Sequence, residues 1–386
     1  MVQYARRKAS KKEQVLKKKE CCDLAVRNLD QFISIPIQGK LSQTKIFESL
    51  VGMAATHQSI HSISHNLALA PCETSLRYHL KKMDISELEM VNSLILTRSC
   101  HEVLKAGHPY QFAIDFTHDP YYGEIVKENE NYIIRNRLKK STAEFYSYVT
   151  LYVITKDRQL TLAVFPVRQG GSKVGYLAKC LDVISGLNLQ IEVLCLDREF
   201  YAKKVISFLQ GADIPFIMPV RRHSNRMKTL LEGSKSRFGT YIMKNKPVNL
   251  LLKIAIVVKY FKGKSGKHGS KNLGYVYHGL SWSPRQIHET YRSRFSIESS
   301  YRMRNQAKPK TSSRNPLIRY LFTIISFLMK NIWMALLWSY FSPVKRGPRT
   351  IDRRVFRFDL FCLLVWDYIK HVLKFTDRIL GIGKPV

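Results

Sequence analysis

Three acids in this 386-residue chain stand where an ionised group would be hard to hydrate. Asp115 ends the apolar run Phe112-Ala-Ile, and Asp197 ends the run Val193-Leu-Cys-Leu. Glu298 lies in a stretch from Pro284 to Asn305 that reads as one helix, with Ser283 as capping hydroxyl and Pro284 as a first-turn residue that needs no donor. At about 100° per residue, Ile287, Tyr291, Arg294, Glu298, Tyr301 and Asn305 share a narrow arc. Ile287 and Phe295 mark that arc as facing the core, so Glu298 is expected to point inward. A carboxylate held there must be paired or bind metal. Three such groups brought together can hold two divalent ions about 3.5–4 Å apart, one activating an attacking oxygen and the other neutralising a leaving one, which is the chemistry of phosphodiester cleavage. Magnesium suits the role because it takes carboxylate oxygens and keeps several waters. Each acid alone has a plainer reading: a strand-terminal Asp often only caps a turn, and a helical Glu is usually solvated. Asp119 competes with Asp115, but it precedes Pro120 and reads as the start of a turn.

The elements that must position these acids follow from periodicity. Tyr110–Phe116, Tyr146–Thr155, Leu160–Val167, Gln190–Leu196 and Ile214–Val220 read as strands, with helices at Lys173–Ser185 and Phe200–Gln210. Three strands, helix, strand, helix, strand makes the first and fourth strands parallel neighbours joined by a helical crossover. That places Asp115 and Asp197 side by side at one end of a sheet. Phe238–Met243, Val248–Tyr260 and Leu273–His278 read as further strands, an insertion around residues 221–280, with a basic Gly/Ser/Lys loop at Lys262–Lys271.

Upstream, residues 21–106 repeat apolar positions at three- and four-residue spacing, and Ala106-Gly-His-Pro breaks that pattern. Lys45–Ala55, Ile60–Leu67 and Cys72–Met83 outline a helix-turn-helix, from which Arg77, His79, Lys81 and Lys82 would reach DNA while Leu76 and Leu80 face the core. A small helical bundle without DNA contact has the same outline. His57, His61 and His65 recur every four residues, but no carboxylate or thiol nearby completes a zinc set, and they read as polar surface. Residues 1–20 carry eight Lys or Arg and two Glu, a solvated tail or an arm along phosphates. Tyr320–Phe341 is strongly apolar but interrupted by Lys330 and Asn331, and reads as a core helix against the sheet rather than a membrane span. Lys345, Arg346 and Arg349 sit in a Pro/Gly loop, and Val355–Leu373 forms a last amphipathic helix.

Sixty-three Lys and Arg against 29 Asp and Glu leave a formal charge of +34, spread through every segment. Such a field attracts polyanions, nucleic acid first and anionic membrane second. The seven cysteines show no C-x-x-C spacing, which argues against a disulfide framework or structural zinc and points to reducing cytosol. The basic N-terminus has no apolar run after it, unlike a secretory signal.

Taken together, Asp115, Asp197 and Glu298 resemble the acidic triad of DDE transposases from bacterial and archaeal insertion sequences. Asp197-Arg-Glu-Phe-Tyr is similar to the block around that family's second aspartate. Tyr291-x2-Arg294-x3-Glu298 resembles the signature around the catalytic glutamate in one large branch. That signature continues with a lysine seven residues on, where this chain has Asn305; Arg302, Arg304 and Lys308 are the basic residues nearby. The resemblance covers roughly residues 107–325. It implies an α/β fold, a ribonuclease H-like mixed sheet with flanking helices and a β-rich insertion before the last catalytic helix; the apolar spacing outside it adds an all-α DNA-binding domain at 21–106 and C-terminal helices at 326–386. It implies that the triad binds two Mg²⁺ ions, for which Mn²⁺ can substitute, with Asp115 between Asp197 and Glu298. It also implies that Tyr291 and Arg294 contact the transposon end, that the partners are terminal inverted repeats, target DNA and a second copy in a homodimer, and that the protein is cytoplasmic and nucleoid-associated. Two alternatives remain on the residues alone: a metal-dependent nuclease or resolvase that does not join strands, and a non-catalytic DNA-binding derivative of a transposase.

Overall fold

The two apolar runs that end in aspartates form neighbouring strands. The computed structural model describes residues 14–39, 41–244, 249–263, 268–342 and 349–376. Most of the basic tail, Lys345, Arg346 and the middle of the Lys262–Lys271 loop therefore lie outside the described residues. β1 (Pro109–Pro120) and β5 (Gln190–Leu196) pair in parallel with Ile114 opposite Leu196, so Asp115 and Asp197 come next on each chain segment. The crossover between them passes through β2 (Ile133–Lys139), β3 (Thr142–Val153), β4 (Thr161–Pro166) and α6 (Lys173–Gly186). β3 runs antiparallel to β1 with Thr150 opposite Asp115, while β2 and β4 share the outer edge of β3. After α7 (Lys203–Gly211), β6 (Phe216–Pro219) joins β5 in parallel. The parallel neighbours expected from the sequence are thus found. β2 is an additional strand; its polar composition gave no apolar run to read.

The expected β-rich insertion extends the same sheet. After the short helix α8 (Asn225–Leu230), β7 (Arg237–Met243), β8 (Leu250–Lys262) and β9 (His268–His278) pair antiparallel in turn, and β9 pairs with β6. The result is one nine-stranded mixed sheet. β3 is buried from Phe145 to Val153 and β4 throughout, as expected of strands covered on both faces. α9 (Pro284–Ser293) packs on β6 and β8, and α6 packs on β4, β5 and α7. α10 (Ser296–Gln306) follows α9. The compact unit holding the sheet comprises residues 105–121 and 131–299.

The other compact unit contains the described residues through Leu104, residues 122–130 and those from Ser300 onward. It consists of α1 (Lys18–Phe32), α2 (Gln43–Thr56), α3 (Ile60–Asn66), α4 (Glu73–Lys81), α5 (Ile85–Thr97), α11 (Pro316–Phe341) and α12 (Phe358–Val372). α11 starts with Asn315 capping the Ile318 amide and Pro316 in the first turn. It is buried on almost every side from Pro316 to Trp338. A helix apolar all round must be covered all round, and α1, α2, α4, α5 and α12 supply that cover. The sequence reading set α11 against the sheet and split the chain at 106/107 and 325/326. The observed division differs because helices from both ends of the sequence close around α11. By length and composition α11 alone among the described helices could cross a membrane, and its apolar window is wholly buried.

Candidate active site and nucleic-acid interface

The helix expected from Pro284 to Asn305 is broken. Ser283 and Gln286 form a capping box at its start, as the Ser-Pro pair suggests. α9 then stops at Ser293, with Arg294 as its capping residue. Arg294, Phe295, Ile297 and Glu298 each donate to the carbonyl three residues back, at 3.1, 3.1, 2.9 and 3.2 Å. Such bonds tighten the chain to about three residues per turn, or about 120° per residue. The phase accumulated from Tyr291 is lost, Ile297 becomes the buried residue, and Glu298 is exposed. The inward-facing glutamate expected from a continuous arc is therefore corrected.

Arg294 occupies the centre of the site. Its Nη1 donates to Asp115 Oδ2 at 2.9 Å, and its Nη2 lies 3.6 Å from Asp197 Oδ1. The Arg294 side chain is 6% exposed, against 13% for Asp115 and 32% for Asp197. The second oxygen of Asp115 accepts from the Phe116 amide at 2.9 Å. Burial pushes the Asp115 carboxyl up to about 7; Arg294 works against this, and Asp197 and Glu199 add to it. Burial likewise opposes charge on Arg294, yet Tyr291, Asp115 and Asp197 together hold its pKa above the ordinary value, so it stays a cation. The guanidinium carbon stands 5.4 Å from the Tyr291 ring centre and 5.2 Å from that of Phe295, walled by aromatic faces. Tyr291 is itself buried and packs against Tyr275, with ring centres 5.1 Å apart.

Asp115 and Asp197 fit a hard divalent ion by donor type and by position, side by side just past the last parallel pair of β1 and β5. Glu298 is not brought into their group: among the described residues, no cluster of three His, Cys, Asp or Glu side chains is close enough to share an ion. Glu199, within the Asp197-Arg-Glu word but not singled out from sequence, is the acid whose charge reaches Asp115 along with that of Asp197.

These groups open onto a cleft of about 1300 Å³. Of its described lining residues, eleven are Lys or Arg and two, Asp197 and Glu199, are acidic. Tyr291 and Arg294 line it. Sequence reasoning missed most of the rest. Arg135, Arg137 and Lys139 sit at alternate positions of β2, which presents a basic face; that two-residue spacing was the available signal. Arg221 and Arg222 follow β6, while Lys259 and Lys271 project from β8 and β9. Lys173 donates to the Glu199 carbonyl and lies 5.8 Å from the Phe116 ring centre; burial lowers its pKa, with Glu199 opposing.

The remaining expected DNA contacts lie in the helical unit. Leu76 and Leu80 are buried as expected, but so is His79, with Nδ1 3.3 Å from the Pro36 carbonyl oxygen, so it does not reach outward. Arg77 grips Glu73 through Nε and Nη2 at 2.9 and 2.7 Å. Lys81 is exposed, and Lys82 lies 4.1 Å from the Tyr78 ring centre. Arg302 is exposed and Lys308 half-buried. Arg304, expected near phosphates, is 1% exposed and stacks on Phe327 at 4.9 Å, so it acts as a core residue here. His57, His61 and His65 are exposed, as expected of polar surface, and the His61 and His65 rings lie 4.3 Å apart. His57 caps α2 in a left-handed conformation, φ 54°, and His61 pairs with Glu73 at 2.8 Å.

No protein-family model and no curated protein matches this sequence. Among solved structures the chain is similar to a piggyBac transposase determined by cryo-EM as a synaptic complex with hairpin DNA. The TM-score is 0.54 at 11% identity, over 95% of this chain and 84% of that one. At that identity the likeness is one of fold.

Proposed function

We propose that this chain is a DNA transposase of the DDE type, related to those of prokaryotic insertion sequences, that cleaves and joins DNA strands at the ends of its element. The observation that carries the reading is the pair Asp115 and Asp197, each directly after Ile114–Leu196, the last parallel pair of β1 and β5, beside a cleft whose described lining holds eleven basic residues. The sheet order β4-β3-β1-β5-β6 supports a ribonuclease H-like core, and the fold likeness to a piggyBac transposase supports the class.

In this reading Asp115 and Asp197 hold Mg²⁺ ions, and Glu298 completes the set once the joint at Arg294–Phe295 rearranges. Magnesium bound there supplies activation of the attacking oxygen and neutralises the leaving one. The protein's part is positioning. The basic face of β2 and the arginines after β6 hold the backbone, largely without regard to sequence. Arg294 contacts the phosphate beside the scissile bond, and buried Tyr291 fixes the plane of its guanidinium. α4 reads the element's ends through Arg77, Lys81 and Lys82, and the active complex is a homodimer working in the cytoplasm at the nucleoid. The exposed position of Glu298, apart from the aspartates, favours a second reading: a non-catalytic DNA-binding derivative.

A strand-transfer assay separates the readings. Purified protein is incubated with Mg²⁺, labelled DNA from the sequence flanking its gene, and a target plasmid. Joined products support the transposase; cleavage without joining indicates a nuclease; binding without cleavage indicates the non-catalytic derivative.

A further inference from the structure

We propose that Arg294 is a guard on the carboxylate pair: in the DNA-free protein its guanidinium, seated between Asp115 and Asp197, takes the place of the divalent ion and leaves when a DNA phosphate enters the cleft. The inference rests on the reading of those aspartates as metal ligands, and its ground is geometric. One guanidinium presents Nη1 to Asp115 at 2.9 Å and Nη2 toward Asp197 at 3.6 Å, so a single side chain spans both carboxylates. With the Phe116 amide on its other oxygen, Asp115 has a donor on each. Asp197 and Arg294 line the cleft, and Asp115 is the less exposed of the two acids. A divalent ion held by these aspartates would compete with the guanidinium for the same carboxylate oxygens.

The arginine is also placed to move. It is the residue at the junction of α9 and α10, where i→i−3 bonds replace the regular ladder. A change of a few backbone angles there swings the side chain without unwinding a helix. A phosphate is a fitting destination, because guanidinium binds phosphate and carboxylate with the same two-pronged geometry. Nearby Arg198, Arg221 and Arg292 already bias the cleft toward that anion. The consequence is coupling. A phosphate that draws Arg294 away uncovers the aspartates, and by linkage each ligand tightens the other by the same factor. The metal site then assembles on DNA and stays closed in its absence.

The test titrates the full-length protein with Mn²⁺ alone, following free Mn²⁺ by its electron paramagnetic resonance signal, with and without a short DNA duplex. Arg294→Gln should bind Mn²⁺ about ten- to a hundred-fold more tightly than wild type without DNA, the range expected for losing charge-assisted contacts. Arg294→Lys should fall between them, since an ammonium cannot span two carboxylates; it carries the test if the Gln variant does not fold. Duplex should tighten Mn²⁺ binding by wild type and leave Arg294→Gln nearly unchanged. Equal or weaker Mn²⁺ binding by the variants, or equal tightening by duplex in all of them, would overturn the guard while leaving the metal reading intact. Absence of Mn²⁺ binding in every protein, with and without duplex, would overturn the metal reading itself. Adding Asp197→Asn to Arg294→Gln should abolish the tight site; its survival would place the ion elsewhere and refute the proposal.

Discussion

Acid should loosen α9 from the sheet through one residue, His288. Its side chain is 4% exposed, and its Nδ1 lies 2.7 Å from the Tyr275 hydroxyl on β9. Burial pulls its pKa from 6.5 to about 4; Lys259 and Arg292 add to the shift and Glu289 opposes it. Between those two values the unfolded chain binds more protons than the folded one, so stability falls as pH falls. The contribution is complete above about pH 6.5, is lost progressively on acidification, and levels off below about pH 4. With one pKa unit worth about 1.4 kcal/mol, the limiting loss is about 3 kcal/mol, of which about 2 kcal/mol is gone by pH 5. Replacing His288 with Gln keeps a polar partner for Tyr275 and removes the titration. Urea midpoints at pH 7.5 and pH 5, followed by tyrosine and tryptophan fluorescence, provide the assay. Wild type should lose about 2 kcal/mol more than His288→Gln over that interval. Equal losses in the two proteins would refute the reasoning, as would a His288 imidazole that titrates near 6.5 by NMR.

Two further outcomes follow from particular contacts. A Cβ on Gly52 of α2 would meet the Ile369 Cγ2 of α12 at 3.0 Å, so Gly52→Leu should force these helices apart at a cost of about 1–3 kcal/mol, read from urea unfolding; unchanged stability would contradict the close packing of the two ends of the chain. Replacing Arg135, Arg137 and Lys139 with Gln should lower the slope of log affinity against log salt by about 0.9 per lost phosphate contact, measured by fluorescence anisotropy on duplex DNA; an unchanged slope would remove β2 from the interface.

The aspartates were legible in the sequence because each closes an uninterrupted apolar run, and a run buried on both faces reads as a parallel strand. The capping hydroxyl of Ser283 and the core nature of α11 were legible for the same local reasons. Glu298 was not, because its expected direction depended on unbroken helical phase from Ile287 to Glu298. That phase is broken at Arg294, whose partners lie 179 residues upstream at Asp115 and 97 upstream at Asp197. Nothing in the spacing of apolar residues records such partners. β2 escaped notice because its inward positions are few and its outward ones basic, a pattern of binding rather than burial. The composition of the helical unit was hidden for a different reason. α11 and α12 find their cover on helices near the opposite end of the chain, and periodicity reports a face without naming what covers it.

If Asp115 and Asp197 carry Mg²⁺-dependent DNA cleavage, single-turnover cleavage of a plasmid bearing the gene's flanking DNA will depend on both. Wild type, Asp115→Asn and Asp197→Asn are compared in Mg²⁺, with DNA affinity measured in parallel. The account predicts cleavage by wild type, none by either variant, and DNA binding as tight or tighter in both variants, because each loses a negative charge beside a basic cleft. Cleavage by either variant at the wild-type rate would contradict it.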